Sequence, residues 1–265
     1  MPFTCLRLDI ADEVATVTLD RPEKLNALNR ALQQEILDVC HQLKHDDGVR
    51  AVIITGAGRG FCSGADLSGP LPEQPDRLPW QQLTDEDSWV GRQARAVAAI
   101  DKPTIAAVNG IAAGAGFSLA LACDIRIGSE HARFKSVFIE RNLSPDSGMS
   151  YFLPRIVGQG NALDIILTSR AVEAEEALRI GLLQRLVPHE RLLEEAQAIA
   201  RQIAAHPPIA AIMSRRVVQR SWENGLDAQL REEIHAIAIC RRAVNDAREQ
   251  RQAFLEKRPP RFTGS

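Results

Sequence analysis

NGIAAGAGFSLALACD, residues 109–124, is the stretch that decides how this chain folds. A β-rich run, TIAAVNG at 104–110, leads into it, glycines and alanines open a helix over 114–122, and a second run, DIRIG at 124–128, leaves it. Strand, small-residue helix and strand in so short a span predict parallel strands in one sheet with a buried helix against them. The uncharged span 103–123 is long enough to cross a bilayer, but Asn109, its glycines and its many alanines keep it weakly apolar. It therefore reads as buried strand, loop and buried helix.

The same rhythm extends outward in both directions. VATVTLD at 14–20 alternates with period two and predicts a half-buried strand, ended by Arg21 and Pro22. Leu32, Ile36, Val39 and Leu43 recur at helical spacing before the strand AVIITG at 51–56, and a further helix over 88–100 precedes TIAAVNG. From about Asn161 the pattern becomes almost wholly helical, with helices over 192–203 and 209–218 and a long charged stretch over 226–255. The chain thus divides into an α/β core, 1–195, and a C-terminal helical region, 196–265. The Pro-rich 68–87 segment is the one insertion of a length that suits a lid.

Composition narrows the function classes. With 32 basic and 34 acidic residues the net charge is −2, so no global field draws the chain to nucleic acid or lipid, and any anion it binds must be met locally. The five cysteines are scattered and lack paired CxxC spacing, which argues against a disulfide framework and a zinc site and fits a reducing cytoplasm. The N-terminus carries acids and no apolar run of signal-peptide length, and the six histidines show no metal-ligand spacing.

Two glycine-rich segments carry the chemistry. GAGRGFCSGADL at 56–67 follows a strand, yet it lacks both the third glycine of a dinucleotide loop and the GK[ST] of a phosphate loop. What remains is a loop whose small residues let backbone N–H groups approach a ligand. The 109–124 segment likewise presents the unpaired N–H groups of a helix N-terminus, which favour a developing negative charge. Either segment alone is equally well explained by a tight turn or by close packing. Two at the ends of adjacent strands predict convergent donors, an oxyanion hole in which one well-placed donor contributes about 3 kcal/mol to a transition state.

Taken together, RPEKLNAL at 21–28, GRGFCSGADL at 58–67 and NGIAAGAGFSLALACDI at 109–125 resemble, in order, the signatures of the crotonase (enoyl-CoA hydratase/isomerase) superfamily. SPDSG at 144–148, LPRIVG at 153–158 and AFLEKRPPRFTG at 253–264 resemble its phenylacetate-pathway branch, so the resemblance covers essentially the whole chain. It implies a ββα spiral core of the ClpP/crotonase type with a helical C-terminal trimerisation region. It also implies an acyl-CoA thioester as substrate, with coenzyme A entering as part of that substrate and no separate cofactor or metal. Ala65 and Ala115 match the two oxyanion-hole donors. Lys24, Leu25, Ala27, Gly64, Asp66 and Leu67 match positions that contact CoA. Lys257 and Phe254 resemble residues that reach a neighbouring subunit's CoA, as in a homotrimer or dimer of trimers.

The reaction turns on which groups move protons. Hydratases of the family use two glutamates, and Ser118 and Phe138 stand at those positions here. Neither can activate water, so a 2-enoyl-CoA hydratase would need Glu140, two residues on, or another acid. Asp146 in SPDSG matches the aspartate that serves as acid/base for isomerisation in the branch it resembles; alternatively, it caps the following helix. Ser118 either hydrogen-bonds substrate or satisfies its own helix. The expected function is an acyl-CoA isomerase that shifts a double bond or opens a ring epoxide, with a hydratase as the alternative. From another class, a non-catalytic acyl-CoA- or RNA-binding homologue rests only on the basic clusters SRRVVQR at 214–220 and KRPPR at 257–261.

Overall fold

The computed structural model describes residues 3–68, 80, 84–85 and 87–265. In chain order the strands are β1 (Leu6–Ala11), β2 (Val14–Leu19), β3 (Ala51–Gly56), β4 (Gly60–Cys62), β5 (Thr104–Val108), β6 (Ile111–Ala113), β7 (Ile125–Ser129), β8 (Arg133–Lys135), β9 (Val172–Glu173) and β10 (Arg185–Val187). The helices that matter here are α1 (Arg30–Lys44), α2 (Ser88–Ala98), α3 (Ala115–Ala122), α4 (Met149–Val157), α5 (Gln159–Thr168), α6 (Ala174–Arg179), α7 (Leu192–Ala204), α8 (Pro208–Arg220), α9 (Leu226–Cys240) and α10 (Val244–Glu256). The lid reading of 68–87 falls almost wholly outside the described residues.

A six-stranded sheet runs β1-β2-β3-β5-β7-β10, parallel throughout except for the antiparallel β1–β2 pair. A second sheet runs β4-β6-β8-β9. Each of β3, β5 and β7 is followed by a strand of the small sheet, β4, β6 or β8, and then by helix, so the chain climbs in repeated ββα turns. Asn109 ties two turns together, since its Oδ1 accepts from Gly56 N at 3.2 Å and its Nδ2 donates to Gly58 O at 2.9 Å.

Both faces of the large sheet are covered. Ala15, Val17, Leu19, Val52, Ile54, Ala106 and Val108 pack against α1, α2 and α3 on one side. Val14, Ala51, Ile53, Ile105 and Ala107 pack against Leu192, Ala196, Ile199, Ala200 and Ala204 of α7 on the other. Two covered faces are the reason β2 is buried along its whole length, where period-two alternation had predicted one wet face. Thr16 and Thr18 alternate in sequence but not in burial.

Other corrections follow from the same packing. The boundary at 195/196 falls inside α7, whose apolar face packs on the sheet. The stretch from Asn161 onward contributes β9 and β10 as well as helices, and the charged run over 226–255 is two helices, α9 and α10, broken at 241–243. The 103–123 span is strand, loop and the eight-residue α3, and among the described residues no helix is long and apolar enough to cross a membrane.

Candidate active site

RPEKLNAL forms the floor on which the first glycine-rich loop lies. After a short turn at 22–24, Leu25 and Asn26 take left-handed backbone conformations, and Asn26 is fully buried. Its Oδ1 accepts from Arg21 N at 2.9 Å while its Nδ2 donates to Ala57 O at 2.9 Å and Gly60 O at 2.8 Å, which locks the two loops together. Leu28 N donates to Gly64 O at 2.8 Å and Asp66 N donates to Leu28 O at 3.1 Å, a parallel bridge between Leu28 and Ala65. In that pairing the N–H of Ala65 points away from the bridge, and it has no hydrogen-bond partner among the described residues.

The second donor comes from α3. Ala115 is its first residue, so the Ala115 N–H has no intrahelical acceptor, and Gly114 N is held by Lys135 O at 3.0 Å. Two close approaches bring the donors side by side. A Cβ on Gly116 would stand 2.2 Å from Cys62 O, so only glycine lets the first turn of α3 sit on β4. A Cβ on Gly64, whose φ is +91°, would stand 2.8 Å from Ala113 O and 3.6 Å from Ala115 N. The Gly64 backbone therefore lies directly against 113–115, which brings the loop that carries Ala65 onto the N-terminus of α3.

A third segment closes on this pair. Asp146 lies in the loop before α4, half-buried, and its backbone O accepts from Ser118 Oγ at 3.1 Å, which ties the loop to the first turn of α3. Its Oδ1 accepts from Ser147 Oγ at 2.9 Å, and Oδ2 has no hydrogen-bond partner among the described residues. The side chain accepts no backbone N–H, so it is not a helix cap; its carbonyl takes that part by accepting from Met149 N. Burial pushes the Asp146 carboxyl up from its ordinary value, and the Ser147 hydroxyl opposes the shift.

Ser118 is fully buried, and its hydroxyl reaches two backbone carbonyls, Gly114 O at 3.3 Å and Asp146 O at 3.1 Å. It is occupied in holding Asp146 rather than turned to a ligand. Phe138 is buried with its ring 4.0 Å from a Cβ built on Gly114, so it walls the mouth of α3. Beside it Val137 has φ +57°, a costly conformation for a β-branched residue. Glu140 is exposed, and its Oε1 is paired with Lys135 Nζ at 2.7 Å. Cys62 is fully buried, and its thiol is pushed up to about 12 by burial, which removes it as a nucleophile at neutral pH.

The remaining sequence candidates divide by position. Asp66 pairs with Arg21 at 2.8 Å and accepts from Ser68 Oγ at 2.6 Å, and these hydrogen bonds hold its carboxyl well below the usual carboxylate range. Its charge is spent on joining the two loops. Ala27 is buried in the floor, Leu25 sits in its turn with its carbonyl accepting from Ser63 N, and Lys24 and Leu67 are exposed at the rim. Lys257 and Phe254 are exposed at the far end of α10, and neither side chain hydrogen-bonds to this site among the described residues. The basic clusters are largely neutralised: Arg215 pairs with Asp124, Arg216 with Asp101, Arg220 with Glu232, and Arg258 with Glu249 and Glu256.

Gln93 was not legible as a site residue. It is 3% exposed on the inner face of α2, and its Nε2 donates to Ala115 O at 3.3 Å. The signal in the sequence is a single amide between Trp89 and Val97 on an otherwise apolar i, i+4 stripe. With Ala65, Leu28 and Trp89 it lines a cleft of about 1020 Å³.

The comparisons with known proteins agree with this geometry. The family model described as enoyl-CoA hydratase/isomerase matches residues 9–265. The chain is 37% identical to the 1,2-epoxyphenylacetyl-CoA isomerase of Escherichia coli over 95% of both chains. It is 38% identical to a probable enoyl-CoA hydratase of Rhodobacter capsulatus over 100% of both. Among solved structures, a putative enoyl-CoA hydratase from Streptomyces coelicolor superposes with a TM-score of 0.91 at 37% identity, covering 99% of this chain and 95% of that one. Spiral topology, paired backbone donors and full-length similarity lead to one conclusion: this chain belongs to the enoyl-CoA hydratase/isomerase family of the crotonase superfamily.

Proposed function

We propose that this enzyme is an acyl-CoA isomerase that works through a thioester enolate. The observation that carries the reading is the contrast among its carboxylates. Asp146 offers a free carboxylate oxygen on a loop tied to α3, whereas the two positions at which hydratases carry glutamates hold a buried serine and a buried phenylalanine, and Glu140 is turned outward onto Lys135. The thioester oxygen of a 3-enoyl-CoA accepts from Ala65 N–H and Ala115 N–H, which withdraws charge and acidifies the α-carbon. Asp146 takes an α-proton, the electron pair moves through the enolate, and the proton returns at the γ-carbon, leaving the conjugated 2-enoyl-CoA. The same hole and carboxylate would serve the opening of a ring epoxide on a phenylacetyl-CoA. Ser118 is a positioning residue that fixes the Asp146 loop. CoA arrives with the substrate, and no further cofactor takes part.

Product masses test this reading. Offered a 3-enoyl-CoA, the enzyme is expected to give a 2-enoyl-CoA of unchanged mass. Efficient addition of one water to a 2-enoyl-CoA would contradict it and favour the hydratase reading that the Rhodobacter relative's name suggests.

A further inference from the structure

A second cavity, about 1230 Å³, opens between α4, α8 and the far end of α3. Leu121 and Ala122 line it, whereas Ala65, Ala115 and Asp146 do not, so it lies at the opposite end of α3 from the paired donors. Phe152 of α4 and Val218 of α8 give it apolar walls, and Tyr151 and Trp222 add two rings whose centroids stand 6.3 Å apart. A recess walled by apolar and aromatic side chains, with a few polar groups converging on it, is the form that small-molecule sites take. Its charge is unbalanced in one place. Asp124 pairs with Arg215 at 2.7 Å, Asp101 with Arg216 at 2.9 Å, and Glu223 accepts from the Tyr151 hydroxyl at 3.1 Å. Arg155 pairs with no carboxylate among the described residues. Its guanidinium lies over the Tyr151 ring, 3.8 Å from the centroid and 5.8 Å from that of Trp222, and its Nη1 donates to Tyr151 O at 2.9 Å.

We propose that this cavity is a second ligand site, and that it takes an aryl carboxylate. The ring contact and the carbonyl fix the orientation of Arg155, and the N–H groups of its Nε and Nη2, which share one edge, have no partner among the described residues. A guanidinium held in this way, with that edge free, matches a carboxylate, whose two oxygens accept the two parallel N–H groups. The aryl body then lies along Trp222, Phe152 and Val218, where it exchanges water for apolar contact. A neutral ligand of the same shape gains only the apolar contact. The site stands whichever reaction the donor loops support.

The test titrates the full-length protein with 3-phenylpropionate and with its uncharged counterpart, 3-phenylpropionamide, by isothermal calorimetry. The two share the aryl body, so their affinity ratio isolates the carboxylate. The carboxylate is expected to bind saturably and roughly tenfold or more tightly than the amide, the ratio falling below about threefold in Arg155→Gln. Saturating CoA is expected to leave that binding in place, because the cavity lies apart from the donor loops. Equal affinities, displacement by CoA, or a preference that survives Arg155→Gln would overturn the inference. So would the absence of saturable binding, the result expected if another copy of this chain fills the cavity. The comparison of the two ligands on the unsubstituted protein does not depend on the Arg155 variant folding.

Discussion

At the scale of single residues, Asp146 joins two properties that usually oppose each other. A carboxyl whose pKa is raised on folding binds its proton more tightly in the folded state, so the ionised form is unfavourable there at neutral pH and the folded state gains stability as pH falls through that pKa. Asp146→Asn is therefore expected to raise the melting temperature at neutral pH while lowering kcat by about 100- to 10,000-fold, read by thermal unfolding and steady-state rates. A base with a raised pKa also loses its function early on acidification. The acid limb of kcat/KM is expected above the ordinary aspartate value of about 3.9 in the unsubstituted enzyme. SPDSG singles out Asp146 as a candidate, but its tie to Ser118 was not legible, because the hydrogen bond joins residues 28 positions apart in different elements. Gln93 was missed for a related reason: one amide in an apolar helical stripe has meaning only once its neighbour across the interface is known.

Among the elements, legibility followed length and patterning. β2, β3, β5 and β7 could be read because five or six β-rich residues with clear breakers leave a recognisable pattern, and α1 because its apolar residues keep a helical period. The small sheet was not, since β4, β6 and β8 are three residues long and β9 is two, too short to show alternation. Yet it is this second sheet that carries each spiral turn from the large sheet to the donor loops. Gly64 sits where a donor loop crosses α3, at a φ that disfavours any side chain and in a space with no room for one. Gly64→Ala is expected to push the 64–65 backbone away from α3 and lower kcat/KM by 100-fold or more, about 3 kcal/mol, with far less effect on the circular-dichroism spectrum. Near-normal kcat/KM would mean that Ala65 N–H is not a donor to the reacting oxygen.

For the whole molecule, the C-terminal helices present what a single chain leaves uncovered. On α9, Leu226, Leu230, Ile234 and Ile237 recur along one side and are 74%, 46%, 68% and 51% exposed, and on α10 Phe254 and Leu255 are also bare. Apolar residues left bare along one side of a helix favour burial against another chain. The resemblance points to further copies of this chain as that partner, which would also explain why Lys257 lies away from the cleft of its own chain. Light scattering is expected to give a trimer or a dimer of trimers, and Ile234→Glu to lower the mass; a monomer in the unsubstituted protein would contradict the assignment. The proposed isomerisation requires a carboxylate on one loop to move a proton on an enolate held by two backbone N–H groups. It is tested most directly by incubating a 3-enoyl-CoA in heavy water with the enzyme and with Asp146→Asn, and locating deuterium in the product by mass spectrometry. Double-bond migration with deuterium at the γ-carbon is expected, and is expected to be absent in Asp146→Asn. Migration and labelling that persist undiminished in Asp146→Asn would contradict it.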